Sequence, residues 1–405
     1  MTPAAAVTPS TWSLVTEPGD GMQPIYSLMS SARHELDMTM YELADPEAVD
    51  ILEADARRGV TVRVILDQDY SGAYVNSTAN SELGSNGVEV HWAPAGTIFH
   101  QKTVTVDDHT SAIMTLNLTS EYYSSTRDFA VVTTDRSDVA AIEQTFATDW
   151  TSSGSPEPGP RATNLVWSPG AEVPIVDLIE SAKHTLLVEN EEMDDPDIAG
   201  ALEAAAGRGV DVELVMTYSS SWAGELDALV AAGVKVGTYA SDASLYIHAK
   251  VIVADGTTAF VGSQNFSEAS LDYNRELGVL TSDPALVGPV ARTVGSDFAG
   301  ASRFGGGVVP GGAPSPPLST TTTATPTGGP WCRASASPAN DGYAGDYDVY
   351  VESDEPDQKA TASDAGDTYS YYTNGTGYAV IYLWNTSAGE SIKVTVGGAV
   401  CSTVA

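Results

Sequence analysis

Two segments of the chain carry chemically matched polar residues in the same order and at the same spacing. Counted from a histidine, each segment has lysine at +2, aspartate at +7, a hydroxyl residue at +15, asparagine at +17 and a carboxylate at +28. Every pair is separated by 148 residues, so chance is a poor explanation. The first set is His100, Lys102, Asp107, Thr115, Asn117 and Asp128; the second is His248, Lys250, Asp255, Ser263, Asn265 and Glu276.

The spacing suits a β-strand that presents polar side chains on one face. Side chains at i and i+2 of a strand point to the same side, so each histidine shares a face with its lysine. The hydroxyl and the asparagine also share a face, and we expect them on the adjacent antiparallel strand. Ammonium, hydroxyl and amide groups donate to phosphate oxygens. Because a neutral imidazole is a good nucleophile near neutral pH, the pattern predicts chemistry at phosphorus.

The two segments resemble the duplicated HKD motif of the phospholipase D superfamily. In this motif His-x-Lys-x4-Asp is followed by Gly-Ser-x-Asn, and the second segment matches it fully at 248–255 and 262–265. The first segment departs at Thr115-Leu-Asn117, which lacks the glycine and has threonine in place of serine, but the hydroxyl and amide remain. The resemblance covers about residues 10–303.

The resemblance implies that both motifs meet across a lobe interface to form one active site, without metal or cofactor. One histidine attacks phosphorus and forms a phosphohistidine, while the other protonates the leaving alcohol and then activates water. We expect His100 to be the nucleophile and His248 the general acid, although the repeat makes them nearly equivalent by sequence. The residues expected to hold the non-bridging phosphate oxygens are Lys102, Lys250, Asn117 and Asn265.

The other motif positions are expected to support these groups. By analogy with the family, the carboxylates at +28 hydrogen-bond the histidines and fix their tautomers. The aspartates at +7 are expected to brace the turn after the strand and not to contact substrate. The supporting set is Asp107, Asp255, Asp128, Glu276, Thr115 and Ser263.

A second repeat, at an offset of 150 residues, indicates the elements that carry the motifs. Asp45-Pro46 recurs as Asp195-Pro196, and each pair is a helix N-cap followed by proline at the first helical position. Strands rich in Val, Ile, Leu and Met suit a sheet with helices on both faces. The fold class is therefore α/β, with two pseudo-twofold-related lobes at 10–155 and 156–304. The elements predicted for the first copy are helices near 20–33 and at 46–58, and strands at 35–42 and 60–67.

A stretch of Gly, Pro, Ser and Thr at 305–330 is typical of a flexible linker. The following residues, 331–405, contain short alternating runs that predict a small β-sandwich. Cys332 and Cys401 bracket this module, and the chain has no other cysteine. They indicate a disulfide and hence an oxidising, extracellular location, the alternative being two free thiols.

Net charge and hydropathy limit the kinds of molecule that the protein is expected to bind. With 54 acidic and 18 basic residues the net charge is −36, which disfavours nucleic acid, whose binding proteins usually present a basic face. No stretch is apolar enough for a membrane span, so we expect a secreted monomer that meets phospholipid at a membrane or micelle surface. Residues 1–7 lack the charged and apolar regions of a signal peptide, so either a leader has been removed or the chain is not exported.

The sequence thus predicts a phosphodiesterase of phospholipase D type that hydrolyses phospholipids and can transfer the phosphatidyl group to other alcohols. One alternative is an extracellular endonuclease with the same metal-independent site, and another is a catalytically degenerate binding protein. The acidic run at 189–197 lacks the spacing of a calcium-binding loop, so we interpret it as negative residues before a helix. His34 and His184 match across the repeat but have no polar companions, which indicates structural roles.

Overall fold

A computed structural model describes residues 10–69, 72–160, 164–305, 332–338, 347–353, 359–363, 368–372, 378–383, 391–396 and 399–404. Its internal contacts divide the chain into two compact units, Met1–Gly312 and Ala313–Ala405. The division falls within the predicted linker, whose residues 306–330 lie outside the described ranges.

The first lobe contains a mixed sheet in the order β1-β7-β6-β5-β2-β3-β4. The pairs β2–β3 and β3–β4 are parallel, while the other neighbours along this path are antiparallel. Its strands are β1 (Trp12–Glu17), β2 (Glu35–Met40), β3 (Thr61–Leu66), β4 (Glu89–Trp92), β5 (Thr103–Val106), β6 (Thr110–Met114) and β7 (Thr126–Thr133). Its helices are α1 (Gln23–Ser30), α2 (Pro46–Arg57), α3 (Gly72–Val75), α4 (Ser77–Ser85) and α5 (Arg136–Thr151).

The second lobe repeats this plan with the sheet order β16-β11-β10-β9-β13-β14-β15-β8. Its strands are β8 (Leu165–Ser168), β9 (Thr185–Glu189), β10 (Asp211–Thr217), β11 (Lys235–Tyr239), β12 (Tyr246–Ile247), β13 (Lys250–Ala254), β14 (Thr258–Gly262), β15 (Glu276–Thr281) and β16 (Ser302–Arg303). Its α-helices are α6 (Glu172–Ser181), α7 (Pro196–Gly207), α8 (Ala223–Ala232) and α9 (Pro284–Gly300), with a 3₁₀ turn at Ser220–Trp222 and a π turn at Ala269–Tyr273.

The helix that follows β2 shows how closely the sequence sets local structure. The Asp45 side chain accepts a hydrogen bond from the Glu47 amide at 3.0 Å, as an N-cap does, and proline follows at the first helical position. Gly59, just beyond the helix, has φ +89°, a left-handed conformation that glycine adopts without strain. The α/β fold and the repeat are therefore confirmed, and the element ends differ from the predictions by one to a few residues.

The two lobes pack through a shared core and two ion pairs, one buried and one partly exposed. In one, Arg275 donates to Asp149 through Nε at 2.8 Å and Nη2 at 2.9 Å; in the other, Arg127 binds Asp297 across the interface. Each arginine therefore meets an aspartate at the end of the other lobe's last helix. The apolar core between the lobes includes Trp12, Ile113, Phe129, Ile142, Trp167, Val251, Val261, Leu277 and Val294.

The C-terminal unit is a small two-sheet module, which confirms the expected β module. A three-stranded sheet (β17-β18-β21) and a four-stranded sheet (β20-β19-β22-β23) both contribute residues to one core, and a disulfide joins Cys332 on β17 to Cys401 on β23. The strands are β17 (Cys332–Pro338), β18 (Tyr347–Ser353), β19 (Lys359–Ser363), β20 (Thr368–Tyr372), β21 (Tyr378–Leu383), β22 (Ser391–Val396) and β23 (Ala399–Val404).

Candidate active site

The two His-x-Lys segments are brought together by strands that cross the lobe boundary. The strand β12, which leads into His248, pairs in parallel with β7 of the first lobe, with Ile247 opposite Arg127. On the other side, Phe99, which precedes His100, forms a parallel bridge with Arg275. Each motif therefore enters the site along the strand that carries the opposite lobe's +28 carboxylate.

Each histidine is held by a carboxylate from the other lobe. The Nδ1 atom of His100 lies 2.9 Å from Oε2 of Glu276, and Nδ1 of His248 lies 2.8 Å from Oδ1 of Asp128. A proton on Nδ1 shared with the carboxylate leaves the Nε2 lone pair of a neutral ring available. The geometry thus provides two oriented imidazoles at one interface, one from each lobe.

His100 is suited to the neutral state that a nucleophile needs. Its side chain is 13% exposed, and burial lowers the pKa of its imidazole to about 4, with the charges of Lys102 and Lys250 acting in the same direction against the opposing effect of Glu276. Lys250 of the second lobe is close enough to lower the pKa of His100 of the first, so the two motifs share one electrostatic environment. Ionised Glu276 would stabilise the positive charge that the ring acquires when Nε2 attacks phosphorus.

Both lysines are buried beneath the histidines. The Lys102 ammonium donates to the His100 carbonyl at 2.6 Å, and that of Lys250 donates to the His248 carbonyl. Burial lowers the pKa of Lys102 to about 7, with Lys250 adding to the effect and neighbouring glutamates opposing it. An anionic phosphate between the two ammonium groups would relieve this repulsion, which makes the position a good phosphate site.

The residues at +15 and +17 lie just beyond β6 and β14 and not on these strands. The hydroxyls are bonded to the +28 strands: Thr115 donates to Asp128 and accepts from the Phe129 amide at 2.9 Å. Ser263 donates weakly to the Leu277 carbonyl at 3.4 Å and accepts from the Leu277 amide at 3.1 Å. Both are fully buried, so their geometry fits support of the +28 strands better than phosphate binding. The amide of Asn117 donates to Glu42 at 3.0 Å. That of Asn265 donates to Glu192, also at 3.0 Å.

The glycine that the first motif lacks has a packing role in the second. A Cβ on Gly262 would lie 2.6 Å from the Cα of Gly278 on the neighbouring strand, so only glycine fits there. Met114 holds the corresponding place in the first lobe, opposite Ala130. The departure from the family pattern therefore changes packing behind the site and leaves the Thr115 hydroxyl and the Asn117 amide in place.

The aspartates at +7 lie away from the histidines, at the far end of their strands. Asp107 accepts hydrogen bonds from the backbone amides of residues 33, 34 and 35, and Asp255 does the same with residues 183, 184 and 185. The side chains of His34 and His184 are exposed at these turns. This arrangement braces the connection between a helix and a strand and places neither aspartate near substrate.

Two acidic side chains of the site were missed by the sequence interpretation. Glu191 and Glu192, read there as residues before a helix, extend from the end of β9 into the site, where Glu191 contacts Lys250 and His248. A signal was present: Glu42 precedes Glu192 by 150 residues, the offset of the helix–strand repeat. In the described part of the chain, no group of three or more His, Cys, Asp or Glu side chains is arranged to hold a metal ion.

The pKa values of His100 and Lys102 predict the pH range of the enzyme. The kcat/KM value reports the free enzyme, in which a nucleophilic His100 needs a neutral ring and a phosphate-binding Lys102 needs its charge. As pH falls through about 4, His100 gains a proton and its nucleophilic lone pair is lost; as pH rises through about 7, Lys102 loses its charge. We therefore expect kcat/KM to follow a bell-shaped pH profile with its acid limb near pH 4 and its basic limb near pH 7. Initial rates on a phosphodiester measure this profile. An acid limb near the ordinary histidine value, with the protein still folded by circular dichroism, would contradict this.

Comparisons with known proteins agree with the geometry. The family profile described as "Cardiolipin synthase, PLD-like domain" matches residues 25–150 and 175–298. Cardiolipin synthase A of Klebsiella pneumoniae is 26% identical to the chain, over 72% of this chain and 69% of its own. The counterpart in Citrobacter koseri is 25% identical over the same shares.

Two solved structures share the fold at low sequence identity. Phosphatidylserine synthase of Haemophilus influenzae superposes with a TM-score of 0.56 at 13% identity, over 73% of this chain and 87% of its own. Polyphosphate kinase of Porphyromonas gingivalis gives a TM-score of 0.57 at 15% identity over 71% of this chain, which spans about half (47%) of the kinase. With both motif copies inside the matched regions, the chain belongs to the phospholipase D superfamily, as an enzyme of phosphodiester chemistry with two PLD-like repeats.

Proposed function

We propose that the protein is a phospholipid phosphodiesterase of phospholipase D type that forms a phosphohistidine and transfers the phosphatidyl group to water or to another alcohol. The observation that carries this proposal is the crossed pairing of His100 with Glu276 and of His248 with Asp128. Crossed pairing orients one imidazole from each lobe toward a shared space, which a two-step displacement at one phosphorus needs.

The proposed reaction has two balanced steps. Nε2 of His100 forms a bond to phosphorus while the bond to the head-group oxygen breaks, and protonated His248 gives its proton to that oxygen. In the second step His248, now neutral, takes a proton from water or an acceptor alcohol, whose oxygen attacks phosphorus and breaks the P–N bond. Both rings return to their starting states. Lys102 and Lys250 neutralise the charge on the non-bridging oxygens throughout.

Phospholipid is favoured over nucleic acid by two observations. Relatives that match 72% of this chain are named cardiolipin synthase A, and the net charge of −36 repels a polyanionic strand. A location outside the cytoplasm is part of the proposal, supported by the disulfide of the C-terminal module. Among the described residues, no helix is both long and apolar enough to cross a bilayer. We also propose that the chain acts as a monomer, because one chain supplies both motifs.

The test is a comparison of substrates in EDTA. Purified full-length protein is incubated with phosphatidylcholine vesicles, with single-stranded DNA and with double-stranded DNA. We expect choline release, formation of a phosphatidyl ester when ethanol is added, and intact DNA. A matched control is His34→Asn, which removes an exposed histidine outside the site and should keep full activity, whereas His100→Asn should lose it. Degraded DNA with intact lipid would favour the endonuclease instead, and no turnover of either substrate would favour a degenerate binding protein.

A further inference from the structure

The position just before Glu42 in the first lobe and before Glu192 in the second carries different residues in the two halves of the site. Glu42 and Glu192 correspond, because each accepts a hydrogen bond from the asparagine at +17 of its own lobe. The residues before them therefore correspond as well, and these are Tyr41 and Glu191. Both lie just after the ends of the equivalent strands β2 and β9. One half of the site thus has a phenol where the other has a carboxylate.

These two residues give the two histidines different surroundings. The Tyr41 ring lies edge-on to His100, with centroids 4.7 Å apart, and 5.1 Å from the Lys102 ammonium. In the other half, Oε2 of Glu191 lies 2.8 Å from the ammonium of Lys250 and 3.5 Å from Nε2 of His248. The nitrogen that Glu191 faces is the one not bonded to Asp128, so it is the atom through which His248 would exchange a proton with substrate.

We infer that Glu191 is a positioning residue that keeps the proton on Nε2 of His248, and so makes His248 the acid and leaves His100 as the nucleophile. This inference rests on the proposed function. It supplies a physical reason for different roles of two histidines that the sequence motifs leave equivalent.

The charges around His248 favour this assignment. Carboxylates face both ring nitrogens of His248, Asp128 from β7 at 2.8 Å and Glu191 from the end of β9 at 3.5 Å, so each nitrogen has an anionic acceptor for a proton. Lys250 on β13 opposes them but is itself paired with Glu191, and the phenol of Tyr246 donates to the other Glu191 oxygen at 3.1 Å.

Glu191 is charged across the working pH range. Although burial acts to raise its pKa, the Lys250 and His248 charges outweigh that effect and lower it to about 2.

His100 has the opposite environment. Its Nδ1 has one carboxylate partner, Glu276, while an aromatic edge lies against the ring, and its pKa lies at about 4. At pH 6 this ring is therefore neutral, and Nε2 has a free lone pair. When substrate phosphate takes the Lys250 ammonium, Glu191 keeps the Tyr246 phenol and the His248 ring as partners, which places its charge beside the ring expected to serve the leaving alcohol.

The experiment compares two substrates that share the phosphatidyl group and differ in whether the leaving group needs a general acid. Phosphatidylcholine releases an alkyl alcohol that must be protonated as it leaves, whereas phosphatidyl-p-nitrophenol releases a stable phenolate that needs no proton. Single-turnover release is measured at pH 6 with the full-length protein and Glu191→Gln. We expect choline release to fall by about tenfold to a hundredfold and p-nitrophenol release to change by less than about threefold.

Two further variants separate proton holding from a merely structural role. Glu191→Asp retains the charge and should recover most of the choline release. Glu180→Gln removes an exposed carboxylate of the same lobe and should match the wild type in every assay.

Equal losses with both leaving groups, or no recovery of choline release in Glu191→Asp, would overturn the inference while wild-type turnover still supports the proposed function. Mapping the trapped phosphoryl group to His248 in place of His100 would overturn the assignment of roles. A wild-type protein that is inactive on both lipids would instead overturn the proposed function, and the inference with it.

Discussion

Replacing His100 with asparagine should lower turnover of phosphatidylcholine by about 10⁴-fold or more, because it removes the group proposed to form the covalent intermediate. The loss should be just as large with phosphatidyl-p-nitrophenol, since a better leaving group does not restore a missing nucleophile. Asparagine keeps a donor near Glu276 and has a similar polarity, so the fold should be retained. Initial rates on both lipids, with melting curves of each protein, test this.

His248→Asn should behave differently, and the contrast makes the prediction specific. Choline release should fall by about 10²- to 10⁴-fold, which is the usual contribution of a general acid. Release of p-nitrophenol should still occur once per site, after which the phosphoenzyme accumulates because no base activates water. Acid-labile phosphate should therefore be found on His100 by mass spectrometry of the quenched protein. The control His184→Asn, at an exposed turn of the same lobe, should leave both rates unchanged. A burst from His100→Asn but none from His248→Asn would reverse the two roles.

Much of the fold could be predicted because the duplication is strong and its local signals are physical. Asp45-Pro46 and Asp195-Pro196 mark the starts of equivalent helices in both lobes, and the structure shows each aspartate accepting hydrogen bonds from the first turn. The His-x-Lys segments were predicted to lie on strands, but both histidines and Lys102 come just before β5 and β13, and only Lys250 is on a strand. The antiparallel strands that follow were predicted correctly. Helix starts and strand hairpins are set by residues close together in sequence, so the spacing of residues is enough to predict them.

What spacing could not show is which lobe supplies each partner. The carboxylate at +28 has the same separation from its own histidine in both motifs, yet Asp128 and Glu276 each bind the histidine of the other lobe. That choice is made by β12 and by the bridge at Phe99, which cross the interface. Glu191 was missed for a related reason. Before a helix, an acidic residue has an ordinary explanation, and only the three-dimensional packing shows that this one extends back over the histidine.

Replacing Asp149 with alanine should lower the free energy of unfolding of the two lobes by about 3–5 kcal/mol, the usual cost of leaving one partner of a buried ion pair alone. The Arg275 side chain is 1% exposed, and its guanidinium also donates to the Ser168 carbonyl at 3.2 Å, so it cannot turn to water. Hydrogen exchange at increasing urea, followed on peptides from the two large sheets, measures this loss separately from the C-terminal module.

The equivalent pair on the other side of the interface provides the matched control. Arg127 is 13% exposed, so water can solvate its charge, and Asp297→Ala should cost clearly less than Asp149→Ala. The double variant Asp149→Ala/Arg275→Met should recover part of the loss, because methionine fills the space without a charge to bury. Equal losses at the two pairs, or a loss under about 1 kcal/mol for Asp149→Ala, would contradict the expectation that the cost of breaking each ion pair depends on its burial. Because Glu276 follows Arg275 directly, any shift of this pair would also move the carboxylate that holds His100, so the same contact stabilises the lobe interface and aligns the nucleophile.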